Sequence, residues 1–279
     1  MLQRDLRGPD WTIFEPRMMK QTEIPGRDSL EEIAMLALEF GRLVMEAGAS
    51  ARSVEEITTR VASGLGAERV DLRVGYASLA NTIFNGGEGI TRMRRVGPPS
   101  ANYSLDNALH AAAARIEGRG MTASEAGAEL DRLLQVSTRH PDWIVALAVG
   151  MACAAFGRLL GVDWAGVGPI LAAATISQRV RRWLAVRRVN VFVATTLVAF
   201  LGSTLSGIGA RWAGSQKVTV AMAAAVLLLV PGVPALNAQN DILEGHPTLG
   251  SARAVWVAMV LVFITAGMWL ALGLLGEGP

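Results

Sequence analysis

The chain of 279 residues is poor in the residue types from which metal sites and catalytic centres are built. It has one cysteine and three histidines, and His110, His140 and His246 lie far apart with no carboxylate or cysteine at ligand spacing. Cys153 lies in an apolar run and is interpreted as a small packing residue. No recognisable grouping of acid, base and nucleophile is present either. We therefore expect no disulfide, no metal, no cofactor and no enzymatic activity.

The chain also has little excess charge. Its formal net charge of +2 is too small to indicate a nucleic-acid partner. The N-terminus has no continuous apolar stretch, so no secretory signal is predicted. Residues 1–27 show no hydrophobic periodicity and contain Pro9, Pro16 and Pro25, which favours a flexible tail without a function of its own. Insertion into a lipid bilayer would then depend on later segments of the chain.

Apolar residues, in contrast, are abundant and unevenly distributed. They make up 51% of the sequence, and the long apolar runs lie beyond Asp142, whereas the chain up to about Arg139 is rich in charge. This step predicts one domain at 28–139 and another at 140–279. The sequence thus predicts an α-helical membrane protein, with five transmembrane helices preceded by a small α+β cytoplasmic domain.

The first domain is predicted to have the element order α-α-β-β-α-α. Capping patterns place helix starts at Ser29, Ser104 and Thr122. Apolar and polar residues alternate from Val70 to Val74, as expected of a half-buried strand. A glycine-containing turn at 85–87 then leads to a second strand at 90–96.

The second domain contains five stretches that could cross a bilayer. A membrane-spanning helix needs about 20 mostly apolar residues. The predicted spans lie at about 143–160, 164–180, 191–210, 218–236 and 254–275. The first two are short, because Arg158 and Asp163 interrupt the apolar run around Gly161.

Basic residues predict the orientation of these spans. Short loops rich in arginine and lysine stay on the cytoplasmic side of the inner (plasma) membrane. Five arginines lie close to the connection between the second and third spans: Arg179, Arg181, Arg182, Arg187 and Arg188. This arrangement predicts a cytoplasmic N-terminus and a C-terminus outside.

The most informative segment lies at the end of the fourth span. Pro231, Gly232 and Pro234 are predicted to break this helix, because each proline lacks an N–H donor and clashes with the preceding turn. Asn237 and Asp241 follow on one helical face. Broken helices of this kind form solute or ion sites in transporters. The alternative is that the prolines only kink the helix and that the polar residues mark its exit into water.

Several short motifs resemble the threonine/serine exporter family. The run Leu-Val-Pro-Gly-Val-Pro at 229–234 is followed by family-like residues at Asn237, Asp241, Gly245, Gly250 and Arg253. Further family-like positions lie upstream, in Gly-Ala-Ser-Ala-Arg-Ser-Val-Glu at 48–55, in the strand containing Asp71, and at Thr91, Arg92, Asn190 and Phe192. The resemblance extends from about Leu30 to the C-terminus. His246 and Pro247 depart from the family pattern.

The resemblance implies an architecture and a class of substrate. Members occur as one fused chain of about ten spans or as two subunits of about five spans each. This chain resembles the larger, N-terminal-type subunit, so the resemblance implies a second small membrane subunit as partner. It also implies export of threonine and serine for the fused form, and of succinate or similar dicarboxylates for the split form.

Two hypotheses from different classes follow. In the first, the chain is a secondary transporter subunit that contacts the lipid bilayer and a small polar or anionic solute. Pro231, Gly232 and Pro234 break the fourth span, Asn237 and Asp241 line the solute or proton path, and Arg253 or Arg158 offsets charge. A homo-oligomer is left open. In the second, the chain is a membrane-tethered sensor or scaffold whose cytoplasmic domain carries the function.

Overall fold

A computed structural model describes residues 27–98, 102–136 and 141–277. The predicted tail lies outside the described residues except for Arg27, and so do Arg139 and His140 near the predicted domain boundary.

Two helices begin the described chain and pack against a small antiparallel sheet. The elements are α1 (Arg27–Glu46), α2 (Ala51–Gly64), β1 (Arg69–Val74), β2 (Ser78–Asn85), β3 (Glu88–Arg95), α3 (Tyr103–Arg119) and α4 (Ala123–Val136). The strand order is β1-β2-β3. Side chains from α1 and β2, among them Phe40, Leu79 and Ile83, are fully buried in a common core. The result is a small α+β unit ahead of the apolar helices.

The sheet has three strands, so the predicted order with two strands is wrong. The missed strand is β2, whose side chains alternate between the core and the opposite face. Two of its four buried positions are asparagines, Asn81 and Asn85, which removes the apolar alternation from the sequence. Their amide groups donate to the carbonyls of Ala34 (3.0 Å) and Gly66 (2.9 Å). The turn predicted at 85–87 is confirmed as the β2–β3 connection, with Gly86 and Gly87 at positive φ.

One predicted capping pattern is confirmed and two are wrong. At Thr122 the hydroxyl accepts from the Glu125 N–H, and the Glu125 carboxylate accepts from the Thr122 N–H (2.8 Å), which completes a capping box. In contrast, α1 begins at Arg27, ahead of Ser29, and α3 begins after Asn102, ahead of Ser104. The Asn102 side chain accepts from the Leu105 N–H (3.2 Å), because asparagine caps a helix as well as serine does.

The apolar half of the chain folds into helices at each predicted span. They are α5 (Asp142–Leu159), α6 (Trp164–Val186), α7 (Val191–Trp212), α8 (Val218–Val226), α9 (Gly232–Leu243) and α10 (Pro247–Leu275). Within the described ranges, α5, α7 and α10 are long and apolar enough to cross a membrane, and α8 with α9 adds a fourth span if the bent pair counts as one. The helix α6 does not meet this criterion, since its C-terminal part is rich in arginine. The protein is thus a mostly helical, multi-pass membrane protein with three or four candidate spans.

Contacts between helix ends show that successive helices run in opposite directions. At one end of the bundle, Arg182 near the end of α6 pairs with Asp142 at the start of α5 (2.9 Å). At the other end, Asp163 accepts from the Gln216 N–H (2.7 Å), which joins the α5–α6 turn to the α7–α8 connection. The α7 and α10 ends meet there as well, through Arg211 and Glu277 (2.7 Å).

The fourth predicted span is broken earlier than the sequence indicates. The helix α8 ends at Val226, a 3₁₀ turn follows at Leu227–Leu229, and α9 leaves at an angle of 58°. Pro231 lies at this bend, as predicted. Pro234 is not a second break, because it lies in the first turn of α9, where a backbone N–H has no helical partner to lose.

The connection between the last two spans is shorter than predicted. The helix α9 continues to Leu243 and α10 already begins at Pro247, so only residues 244–246 separate the two helices. Asp241 and Arg253 are therefore both helical residues, not parts of a long loop. This places both side chains on rigid elements.

Candidate functional site

Asp241 lies at the centre of a buried polar site between α9, α10 and the start of α2. Its side chain is fully buried. One carboxylate oxygen, Oδ1, accepts from the Ala51 N–H (2.8 Å), and the other, Oδ2, accepts from Arg253 Nη1 (2.6 Å). Ala51 is the first residue of α2, so the carboxylate faces the positive end of that helix dipole. The charge of Asp241 is thus compensated from two sides.

Arg253 and Asn237 extend this site to the α1–α2 connection. The Arg253 Nη2 group donates to the Ala49 carbonyl (3.0 Å), and Asn237 Nδ2 donates to the Gly48 carbonyl (2.6 Å). Only 11% of the Arg253 side chain is exposed. We call the set Gly48, Ala49, Ala51, Asn237, Asp241 and Arg253 the Asp241 clamp.

The local sequence explains why the α1–α2 connection presents these groups. Gly48 adopts φ of +102°, a left-handed conformation that favours glycine, and this ends α1 and turns the chain. Ser50 then caps α2 by accepting from the Ser53 N–H (3.4 Å). The two carbonyls and the Ala51 N–H are left pointing to α9 and α10.

A close helix crossing fixes the other half of the clamp. A Cβ atom at Gly250 would lie 2.7 Å from the Ala238 carbonyl oxygen and 3.0 Å from the Ile242 nitrogen. Only glycine therefore allows α10 to approach α9 at this point. One residue earlier, Leu249 is buried in the core of the N-terminal α+β region. The start of α10 is thus packed against both α9 and that region.

Two further contacts between charged or titratable side chains lie at the edge of the clamp. Arg52 Nη1 lies 3.7 Å from Glu244 Oε1, and His246 Nε2 lies 3.4 Å from Glu55 Oε1. The Arg52 side chain is largely exposed, and exposed pairs contribute about 0–1 kcal/mol. The His246–Glu55 contact is an ion pair only when the imidazole is protonated. His246 therefore adds a contact with Glu55 of the 48–55 motif.

A serine, a histidine and an aspartate meet behind the clamp, but their geometry is not that of a catalytic triad. His110 Nε2 lies 3.1 Å from Ser53 Oγ and 3.9 Å from Asp106 Oδ1, so one ring nitrogen faces both partners. A triad uses opposite ring nitrogens. Burial raises the pKa of the Asp106 carboxyl, and the charge of His110 opposes that shift. The cluster is a structural contact between α2 and α3.

The structure brings together some of the predicted site residues and separates others. Asn237, Asp241 and Arg253 converge in the clamp, and Pro231 with Gly232 lies at the start of the helix that carries the first two. Arg158 does not join them. It lies at the end of α5, where it donates to the Val162 carbonyl and stacks over the Trp164 ring at 4.5 Å. Of the two arginines considered as partners for Asp241, Arg253 is the one in contact.

Sequence reasoning missed the backbone half of the clamp. Gly48, Ala49 and Ala51 contribute main-chain groups, which leave no side-chain signature. The 48–55 motif stands out only through the family resemblance, and nothing in its residues alone places it next to Asp241. In the described ranges, no group of histidine, cysteine and carboxylate side chains could hold a metal ion.

Comparisons with known proteins agree on a transporter family. The family model described as "Putative threonine/serine exporter" matches residues 35–275. A protein of Escherichia coli strain K12 named "Probable succinate transporter subunit YjjP" is 29% identical over 246 residues, which cover 88% of this chain and 95% of the relative. A protein of the same name from Klebsiella aerogenes is 27% identical over 245 residues, with 88% and 94% covered.

A third, more distant relative is an uncharacterized protein of Haemophilus influenzae. It is 21% identical over 276 residues, which cover 85% of this chain and 90% of the relative. No solved structure matches the chain.

Proposed function

Because the chain belongs to the threonine/serine exporter family, we propose that it is one subunit of a secondary transporter that exports a small polar metabolite across the inner membrane. The metabolite is a dicarboxylate such as succinate, or threonine and serine. A second small membrane subunit completes the transporter. The match to the two relatives named as succinate transporter subunits covers nearly their whole length. Their names favour a dicarboxylate and a multi-subunit assembly.

The Asp241 clamp is the observation that carries this proposal. It joins a helix that follows a break in the bilayer region to the first turn of a helix in the α+β region. Breaking a buried ion pair by removing one partner costs about 3–5 kcal/mol, so Asp241 and Arg253 hold the described arrangement in place. Alternating access requires a second arrangement, which in this proposal is one where Arg253 has exchanged Asp241 for another partner.

The clamp also suggests how an anionic solute would act. The guanidinium group of Arg253 presents a planar fork of donors, which matches a carboxylate group better than an ammonium does. In the described arrangement Asp241 occupies one side of this fork at 2.6 Å. A dicarboxylate entering from the cytoplasm would compete with Asp241 for Arg253 and release α9 from α2.

Five spans and the orientation with the N-terminus inside are part of the proposal. The antiparallel contacts at both ends of the bundle support a full crossing by α6, although its arginine-rich end is polar. Arg182, Arg187 and Arg188 would then lie at the cytoplasmic face, on the same side as the α+β region, and Glu277 would lie outside.

The first prediction concerns the partner and the solute. In cells that lack their own exporters of this family, we expect succinate efflux only when the chain is expressed together with its small membrane subunit, and little threonine efflux. Efflux of both solutes is measured for each subunit alone and for the pair. Efflux of threonine but not of succinate would show that the exported solute is an amino acid and not a dicarboxylate. No efflux from the pair, with both subunits in the membrane, would contradict the exporter.

The second prediction concerns the break. Pro231→Ala supplies an N–H at the bend, and one hydrogen bond contributes about 1 kcal/mol, which favours a straight helix by several-fold to tenfold. We therefore expect succinate efflux to fall by roughly that factor at equal protein levels. The control is Pro169→Ala, because Pro169 lies in α6 without breaking it. Equal efflux in both variants would show that the break has no role.

A further inference from the structure

A small, partly open cavity lies between helices of the bundle, away from the clamp. It is formed between α5, α6, α7 and the 3₁₀ turn that follows α8, and its lining includes Ser177, Gln178, Ala225, Leu228 and Leu229. The room in it is about 10 Å³, roughly what one water molecule needs. Succinate and threonine are too large for this space, so its occupant has the size of a single ion or water.

Ser177 is the reason to regard the cavity as a binding site. Only 4% of Ser177 is exposed, and its hydroxyl has no hydrogen-bond partner among the described residues. The buried hydroxyls of Ser203 and Ser206 in α7 donate to backbone carbonyls of α8, whereas the Thr204 hydroxyl, like that of Ser177, has no partner among the described residues. A buried polar group without a partner costs about 1–3 kcal/mol. This cost is removed if a bound ion or water molecule contacts the hydroxyl oxygen.

The broken helix supplies further oxygen atoms at the same place. In a continuous helix the Gly232 N–H would donate to the Leu228 carbonyl, but here it donates to Val230 (2.9 Å). The Leu228 carbonyl thus loses its regular helical donor beside the cavity. The negative end of the α8 dipole, at Val226, also lies next to this turn. Both features favour a positively charged ligand.

We propose that this cavity binds a monovalent cation of the size of sodium, with the Ser177 hydroxyl, the Gln178 amide oxygen and carbonyls of the 3₁₀ turn as ligands. Neutral oxygens without a carboxylate suit a monovalent ion, whereas calcium and magnesium sites use carboxylates. Unwound carbonyls and the C-terminal ends of half-helices coordinate sodium in other transporters. That the ion drives export rests on the proposed function, but its binding does not.

The test is the thermal stability of the purified full-length chain in detergent. Sodium chloride is titrated against choline chloride at constant ionic strength, with potassium as a second probe. A ligand that binds only the folded state at 100 times its dissociation constant raises the melting temperature by roughly 5 °C or more. We expect a saturable rise with sodium, a smaller one with potassium, and none with choline.

Three variants assign the effect to the cavity. Ser177→Ala and Gln178→Leu each remove one oxygen ligand, and we expect at least a tenfold loss of sodium affinity in both. The matched control is Thr204→Ala in α7, because the Thr204 hydroxyl is also buried without a partner but does not line the cavity. We expect the control to keep the sodium response of the wild type.

The opposite results would overturn the proposal. Equal melting curves in sodium and choline would mean that the cavity holds only water. An unchanged sodium response in both Ser177→Ala and Gln178→Leu would place any sodium site elsewhere. The same experiments distinguish this proposal from the proposed exporter function. Sodium binding without any solute efflux would contradict the exporter function but support the cation site.

Discussion

Asp241→Asn is expected to reduce export at least tenfold while leaving the chain in the membrane. The substitution keeps the shape of the side chain and an acceptor for the Ala51 N–H, but it removes the charge opposite Arg253. An uncompensated buried charge costs about 3–5 kcal/mol, and every 1.4 kcal/mol is a factor of about ten in an equilibrium. We therefore expect both a lower melting temperature and a loss of succinate efflux of roughly tenfold or more. Efflux is compared at equal protein levels.

An exposed ion pair in the same protein provides the control for this experiment. Asp142 pairs with Arg182 at 2.9 Å, but 43% of the Asp142 side chain is exposed, so Asp142→Asn is expected to change stability by less than about 1 kcal/mol. The double variant Asp241→Asn with Arg253→Gln removes the unpaired charge and should recover part of the stability without recovering export. Wild-type efflux in Asp241→Asn would contradict the proposal that the clamp takes part in transport.

Gly250→Ala is expected to have the second large effect, because it separates α10 from α9. The added methyl group would lie 2.7 Å from the Ala238 carbonyl oxygen, and a backbone atom cannot move aside as a side chain can. Overpacking of this kind costs about 1–3 kcal/mol. The shift also pulls Arg253 away from Asp241, so we expect efflux to fall at least tenfold along with the melting temperature.

Gly273→Ala is the matched control, since it is the same substitution in the same helix. A Cβ atom at Gly273 would meet nothing within 4 Å, and alanine favours a helix over glycine by about 1 kcal/mol. This variant should be neutral or slightly stabilising. If both variants export equally well, then the close crossing of α9 and α10 does not position the clamp for transport.

The two glycine variants also separate local packing from transport. A fall in the melting temperature without a fall in efflux would mean that the clamp tolerates a shift of α10. A fall in efflux with an unchanged melting temperature would mean that the position of Arg253, and not the stability of the bundle, limits transport. Either result refines the role of the clamp more than the Asp241 variant alone can.

The sequence predicted the helices well and the sheet less well, for one physical reason. Lipid-facing and buried helical segments are uniformly apolar, so α5, α7 and α10 are visible as long apolar runs. The strand β2 carries Asn81 and Asn85 at buried positions, and their hydrogen bonds to Ala34 and Gly66 exist only in the fold. Pattern reasoning treats such residues as exposed and therefore missed the strand.

The sequence by itself determined that the chain is a membrane protein, where its apolar helices lie, and that Pro231 interrupts the fourth of them, since hydropathy and the missing proline N–H are local properties. Only the tertiary structure decided which arginine faces Asp241. Arg253 and Arg158 are equivalent as residue types, but close packing at Gly250 brings Arg253 to the carboxylate, and Arg158 lies at the far end of α5. The backbone groups of Gly48, Ala49 and Ala51 complete the site from about 190 residues away, a distance no local pattern can span.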